Sequence, residues 1–114
     1  MEYKGVPLAH LAIDEVYWSD RGEEHLKRAG RGKGGSDLAP EWVTEAVLDE
    51  NRVMRLARKN RPGRESLVVI GYSRSAGALL KAWIWNDSPS TSSRWTGGSG
   101  CYANEQDAKK YEEG

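Results

Sequence analysis

The sequence predicts one small α+β domain. Three observations carry that prediction. The chain has 114 residues, an apolar run Leu67–Val68–Val69–Ile70 is followed by a turn and a second alternating stretch, and segments with helical spacing lie on both sides of that pair. At this length about two-thirds of the unfolded surface is buried on folding, enough for one core and no second one. Residues 1–114 are therefore read as a single domain.

The elements follow in order. Tyr3 to Ile13 is mildly apolar and holds Pro7, so it reads as a short extended segment or a first turn of helix. Ser19 or Asp20 can cap a first helix over Gly22–Ala29, because both side chains accept bonds from free backbone N–H groups. Glu23 and Glu24 fall in its first turn and Lys27 and Arg28 in its last, as the helix dipole prefers. Residues 30–37 hold four glycines, which predicts a flexible loop. It lacks the Lys-Ser/Thr ending and the leading apolar strand of a phosphate-binding P-loop.

Pro40 suits the first position of a second helix, with Trp42, Val43, Ala46 and Val47 as its buried stripe. Glu41, Glu45, Asp49 and Glu50 would face water, and Asn51 would end it. Arg52–Lys59 is expected as a strand and Asn60–Gly63 as a turn. Ser66–Tyr72 is the clearest strand, Ser73–Gly77 its hairpin loop, and Ala78–Trp85 its antiparallel mate. On that mate, Leu79, Lys81, Trp83 and Trp85 share one face and Leu80, Ala82 and Ile84 the other. Arg94–Thr96 is a candidate fourth strand, which Gly97–Gly100 should break. Ala103–Glu112 reads as a closing helix, with Asn104 or Cys101 near its start. The expectation is two N-terminal helices, an antiparallel sheet of three to four strands and a C-terminal helix. The helices would cover one side of the meander and leave the other open.

Composition narrows the function classes. All ten aromatic residues are Trp or Tyr, five of each. Such side chains combine a flat apolar body with a polar edge and serve half-buried or base-stacking positions. Formal net charge is zero, so net charge alone gives no reason to expect nucleic acid. The distribution says more: Arg52, Arg55, Arg58, Lys59, Arg61 and Arg64 form a basic run with no acid among them. One positive face on a neutral molecule is therefore possible. Cys101 is the single cysteine, which rules out an intramolecular disulfide. No stretch is long and apolar enough to span a membrane and no signal peptide is evident, so the cytoplasm is the expected compartment.

No cofactor or metal is expected. His10 and His25 form no His-x-x-x-His pair, no Gly-x-Ser-x-Gly is present, and Cys101 has no evident base beside it. RNA cleavage needs less apparatus, because the 2′-hydroxyl can attack its own phosphate. A protein must align the two, stabilise the added negative charge and move protons. Arg74, Lys81, Trp83, Trp95, Tyr102 and Tyr111 could converge at one end of the expected sheet. Lys81 is the most informative, since a charge in mid-strand must face solvent or a ligand.

Three segments resemble the BrnT-like toxins. The helix Pro40–Asp49 is similar to that family's Glu-Ala-Val-x-Asp helix. Val69–Ser73 and Ala76–Lys81 resemble its central hairpin, and Tyr102–Tyr111 resembles its closing helix. The resemblance runs from about Trp18 to the C-terminus. It implies a RelE-like fold and the toxin component of a type II toxin–antitoxin system. Such a protein is a metal-independent endoribonuclease that inhibits translation and is held by a cognate antitoxin, as a homodimer or in a heterotetramer with it. On this reading Arg74, Lys81 and Tyr111 are the candidate catalytic residues. Arg55, Arg58, Trp83, Trp95 and Asn104 are the candidates for RNA contact. The chain departs from the family pattern in three places: Arg28–Ala29–Gly30 replaces Lys-His-Gly, and Ala78 and Asn104 stand where arginines are usual. The alternative expectation is a non-catalytic module of the same fold that binds nucleic acid or protein.

Overall fold

A computed structural model describes residues 1–31, 38–57 and 65–114. Its backbone starts with a ribbon, β1 (Glu2–Tyr3) and β2 (Val6–Pro7), then a 3-10 turn (Leu8–His10) and β3 (Glu15–Tyr17). Helices α1 (Asp20–Arg31) and α2 (Pro40–Val47) follow, then β4 (Val53–Leu56), β5 (Leu67–Ser73), β6 (Ala78–Trp85), β7 (Arg94–Tyr102) and α3 (Glu105–Glu113). Of the expected Gly-rich loop, Gly30 and Arg31 belong to α1. Residues 32–37 lie outside the described residues, as do Arg58 and the expected turn at 60–63.

The sheet corrects the expected architecture. It is mixed and five-stranded, in the order β3-β7-β6-β5-β4, rather than antiparallel with three or four strands. β4 to β7 form an antiparallel meander, and β3 adds to the edge parallel to β7. A three-residue strand whose partner lies far along the chain leaves little local signature. The glycines of β7 are the second reason. Residues 97–100 continue the strand because neighbouring bodies occupy the space where side chains would go. A Cβ on Gly97 would come within 2.5 Å of the Trp18 ring, and one on Gly100 within 3.0 Å of Leu26 and 3.3 Å of Val43. The strand needs small residues there so that α1 and α2 can lie close to it. Gly98 is the extra residue at a register shift opposite Trp83 and Ile84.

The helices are also divided differently than expected. α1 and α2 cover one face of the sheet, while α3 crosses the other and meets Lys81 and Trp83. The covered face carries Leu67, Val69, Leu80, Ala82, Ile84 and Trp95, all buried against Val43, Ala46 and Val47 of α2 and Leu26 of α1. Ser19 caps α1, its hydroxyl accepting from Gly22 N–H at 3.1 Å. The N-terminal ribbon closes one end of this core. It turns through Lys4 and Gly5, both at positive φ. The fully buried Tyr3 then sits 5.1 Å from the Trp95 ring. The Tyr3 hydroxyl donates to the Glu65 carbonyl at 2.6 Å and accepts from Asn86 N–H at 3.2 Å. Among the described residues no helix is long and apolar enough to cross a membrane.

Candidate functional site

The face opposite α1 and α2 is built from the alternate residues of the same strands. Arg55 pairs with Val68, Val68 with Trp83, and Trp83 with Ser99; Ile70 pairs with Lys81, and Lys81 with Cys101. Directly paired residues point to the same side, so Arg55, Lys81 and Trp83 rise together. Val68 and Ile70, the partners of these residues on β5, are fully buried on the same face. The first two turns of α3 close one side. The result is a hollow of about 410 Å³ lined by Arg55, Ala57, Lys81, Trp83, Asn104, Gln106, Asp107 and Lys110.

α3 holds its place through a reciprocal cap. The Asn104 side chain accepts from Asp107 N–H at 2.9 Å, and the Asp107 carboxylate accepts from Asn104 N–H at 3.1 Å. The other Asp107 oxygen lies 3.4 Å from Lys81 Nζ. Both partners are well covered, with side-chain exposures of 14% and 8%. The Lys81 ammonium also stands 5.3 Å from the centre of the Trp83 ring. Arg55 reaches the Leu56 carbonyl through Nη1 at 3.4 Å, while its buried Nε has no protein acceptor among the described residues. A buried N–H of this kind favours a ligand oxygen or water as acceptor.

Four of the predicted site residues, Lys81, Trp83, Arg55 and Asn104, are thus brought together. The others are not. Trp95 lies wholly in the core, its Nε1 donating to the Ala12 carbonyl at 2.8 Å, so it offers no ring to a base. Tyr111 is pinned to the end of α2, its hydroxyl donating to Asp49 at 2.5 Å. That bond raises its pKa, with burial and the charge of Asp49 acting in the same direction, so its phenolate is harder to form than that of a free tyrosine. Arg74 is exposed in the β5–β6 turn, where its charge faces Glu45. Neither Arg74 nor Tyr111 lines the hollow, and the expected convergence of six residues at one sheet end does not occur.

Two acids expected on the solvent side of α2 act as clamps. Glu45 accepts from the Ser75 N–H and from the hydroxyls of Ser73 and Ser75, at 2.8 to 3.0 Å, and these bonds hold its carboxyl below the usual range. Asp49 accepts from Tyr72 N–H at 2.8 Å and Asn51 N–H at 3.0 Å, besides Tyr111. Burial pushes its carboxyl up, but the three hydrogen bonds outweigh it and the net shift is downward. Gln106, Asp107 and Lys110 line the hollow without having been singled out in the sequence, and Asp107 is the one with a local signature. The Asn-x-x-Asp spacing ahead of α3 was the available signal.

Chemically, the hollow offers two long cations, one lysine shared with a carboxylate, two amides and one indole. It suits a planar group joined to an anion. Among the described residues no group of three or more His, Cys, Asp or Glu side chains is placed to hold a metal ion. In comparison with known proteins, the chain matches no family model and no curated protein.

Proposed function

We propose that the protein engages RNA in the hollow between β6 and α3, as the toxin component of a cytoplasmic type II toxin–antitoxin pair. The observation that carries this reading is the grouping of Lys81 and Arg55 with the Trp83 ring in one hollow. A base can stack on the indole while its phosphate meets the guanidinium and ammonium groups. The resemblance of α2, the β5–β6 hairpin and α3 to BrnT-like toxins supports the same class and implies an antitoxin partner.

In cleavage, the 2′-hydroxyl gives its proton to water as its oxygen attacks the adjacent phosphorus, the bond from phosphorus to the 5′-oxygen breaks to leave a 2′,3′-cyclic phosphate, and the leaving 5′-oxygen takes a proton from water. Arg55 and Lys81 are placed to stabilise the added charge on the phosphate. A second reading, RNA binding without cleavage, is favoured by one observation: Tyr111, the tyrosine expected to move protons, is bonded to Asp49 outside the hollow.

Inducible expression, with growth and total RNA followed, separates the two. Arrest with RNA loss, relieved by coexpression of the neighbouring reading frame, supports the toxin. Normal growth and intact RNA, with salt-dependent binding by purified protein, supports the binding module. Trp83→Ala should weaken RNA binding about tenfold, and Lys81→Gln should also reduce its salt dependence. Unchanged affinity in both variants, with thermal melts showing folded protein, removes the hollow from the reading.

A further inference from the structure

The hollow occupies only part of the sheet face on which α3 lies. Beyond it, β6 continues from Trp83 to Trp85, and the cross-strand register extends to the β3 edge. Trp85 pairs with Thr96, and Thr96 pairs with Tyr17. Trp83, Trp85 and Tyr17 therefore rise from the same face. The first two are about 7 Å apart along the strand, and Tyr17 lies about 10 Å from Trp85, two strands over. Tyr17 is 48% exposed, and Trp83 and Trp85 are half-buried.

The residues between the rings are small. Ser99 pairs with Trp83, Thr96 lies between Trp85 and Tyr17, and Gly98 places no side chain near Trp85, where even a Cβ would stand 3.8 Å from the ring. A cation stands at the outer end as well as at the inner one. Arg94 lies with its guanidinium 5.2 Å from the centre of the Tyr17 ring. Its charge is loosely shared with Glu15 at 3.9 Å, and both side chains are mostly exposed, at 60% and 66%. Such a surface pair contributes little, so a phosphate can displace the carboxylate.

We propose that a single RNA strand runs from the hollow across the sheet, stacking bases on Trp83, Trp85 and Tyr17, with Arg94 holding a phosphate at the far end. This extension rests on the RNA reading of the hollow. Rings separated by small hydroxyl-bearing residues and ended by cations suit a chain of alternating bases and phosphates. A protein-binding patch would instead concentrate apolar contact at its centre. The path defines a site about four nucleotides long, with direction set by the enclosed hollow at one end and the open β3 edge at the other.

The test measures binding of 2′-fluoro RNA oligonucleotides, which lack the attacking hydroxyl, by fluorescence anisotropy. The intact protein should bind a hexanucleotide about tenfold more tightly than a dinucleotide. Trp85→Ala and Tyr17→Ala should each remove most of that gain and leave dinucleotide affinity unchanged. Arg94→Gln should lower the salt slope for the hexanucleotide alone by about one. Tyr17 and Arg94 are exposed, so their variants test the path even if Trp85→Ala fails to fold. A length gain that survives Tyr17→Ala and Arg94→Gln overturns the path while leaving the hollow reading intact. Failure of the intact protein to bind either oligonucleotide overturns both. A dimer that Tyr17→Ala converts to monomer, with no length gain, assigns this face to a second copy and overturns the path.

Discussion

On the face covered by α1 and α2, β6 contributes Leu80, Ala82 and Ile84, each fully buried; on the opposite face it contributes Lys81, Trp83 and Trp85, each half-buried. β7 shows the same division, with Trp95, Gly97 and Gly100 toward the helices and Ser99 and Arg94 away from them. Side-chain alternation lets one strand serve a dry interior and a wet surface together. On the covered face, shape is decisive: glycines make room for Trp18, Leu26 and Val43. On the other, charge and ring placement are decisive. The chemistry of this small domain can therefore change on one face without disturbing the core on the other.

The two faces should respond differently to equivalent substitutions. The largest contrast is between two tryptophans. Trp95→Ala should destabilise the fold by about 4 kcal/mol, because a fully buried indole and its bond to Ala12 are lost. Trp83→Ala should cost about 1 kcal/mol and act mainly on RNA affinity. Urea denaturation measures both, and equal losses would break the comparison. Two glycines give the next contrast. A Cβ on Gly71 would overlap the Ala46 carbonyl oxygen, so Gly71→Ala should cost about 3 kcal/mol as α2 is pushed away. Gly98→Ala on the open face should cost under about 1 kcal/mol, its nearest neighbour being the Trp83 carbonyl at 3.3 Å.

Smaller effects test α3 and its anchor. Asn104→Ala should lower stability by about 1 kcal/mol through loss of the reciprocal cap. Asn104→Ser should restore most of it, as calorimetry can read. Asp49 gives the smallest effect and a defined direction in pH. Its folded carboxyl lies below the ordinary value despite the opposing effect of burial, because Tyr111, Tyr72 and Asn51 donate to it. Its contribution to stability is therefore complete above about pH 4 and is lost as pH falls through the lowered folded value. Asp49→Asn should flatten that part of the acid-unfolding curve; an unchanged slope would show that the clamp does not anchor α3.

Periodic segments were the legible part of the sequence. The β5–β6 hairpin, the two faces of β6 and the buried stripe of α2 all follow from spacing, and the alternation around Lys81 pointed to the hollow. What escaped the sequence was tertiary. Gly97–Gly100 reads as a break because isolated glycines disfavour a strand, and only the neighbouring Trp18, Leu26 and Val43 make them necessary. β3 has three residues and a partner about eighty positions later in the chain, so no local pattern marks it. Trp95 and Trp83 are the same residue type on adjacent strands, and only register tells which one enters the core. Glu45 and Asp49 sit where helical spacing predicts solvent, and the end of β5 comes to them.

The late position of β7 and α3 in the chain also bears on synthesis. β3 is made early but has no strand to pair with until Arg94–Thr96 has emerged. The hollow likewise lacks one wall until Asn104 and Asp107 follow. A growing chain can therefore form the β5–β6 hairpin and dock α2 on it before the hollow is complete. The pair Tyr17–Thr96 and the ion pair Lys81–Asp107 form only after the later segment of each has emerged.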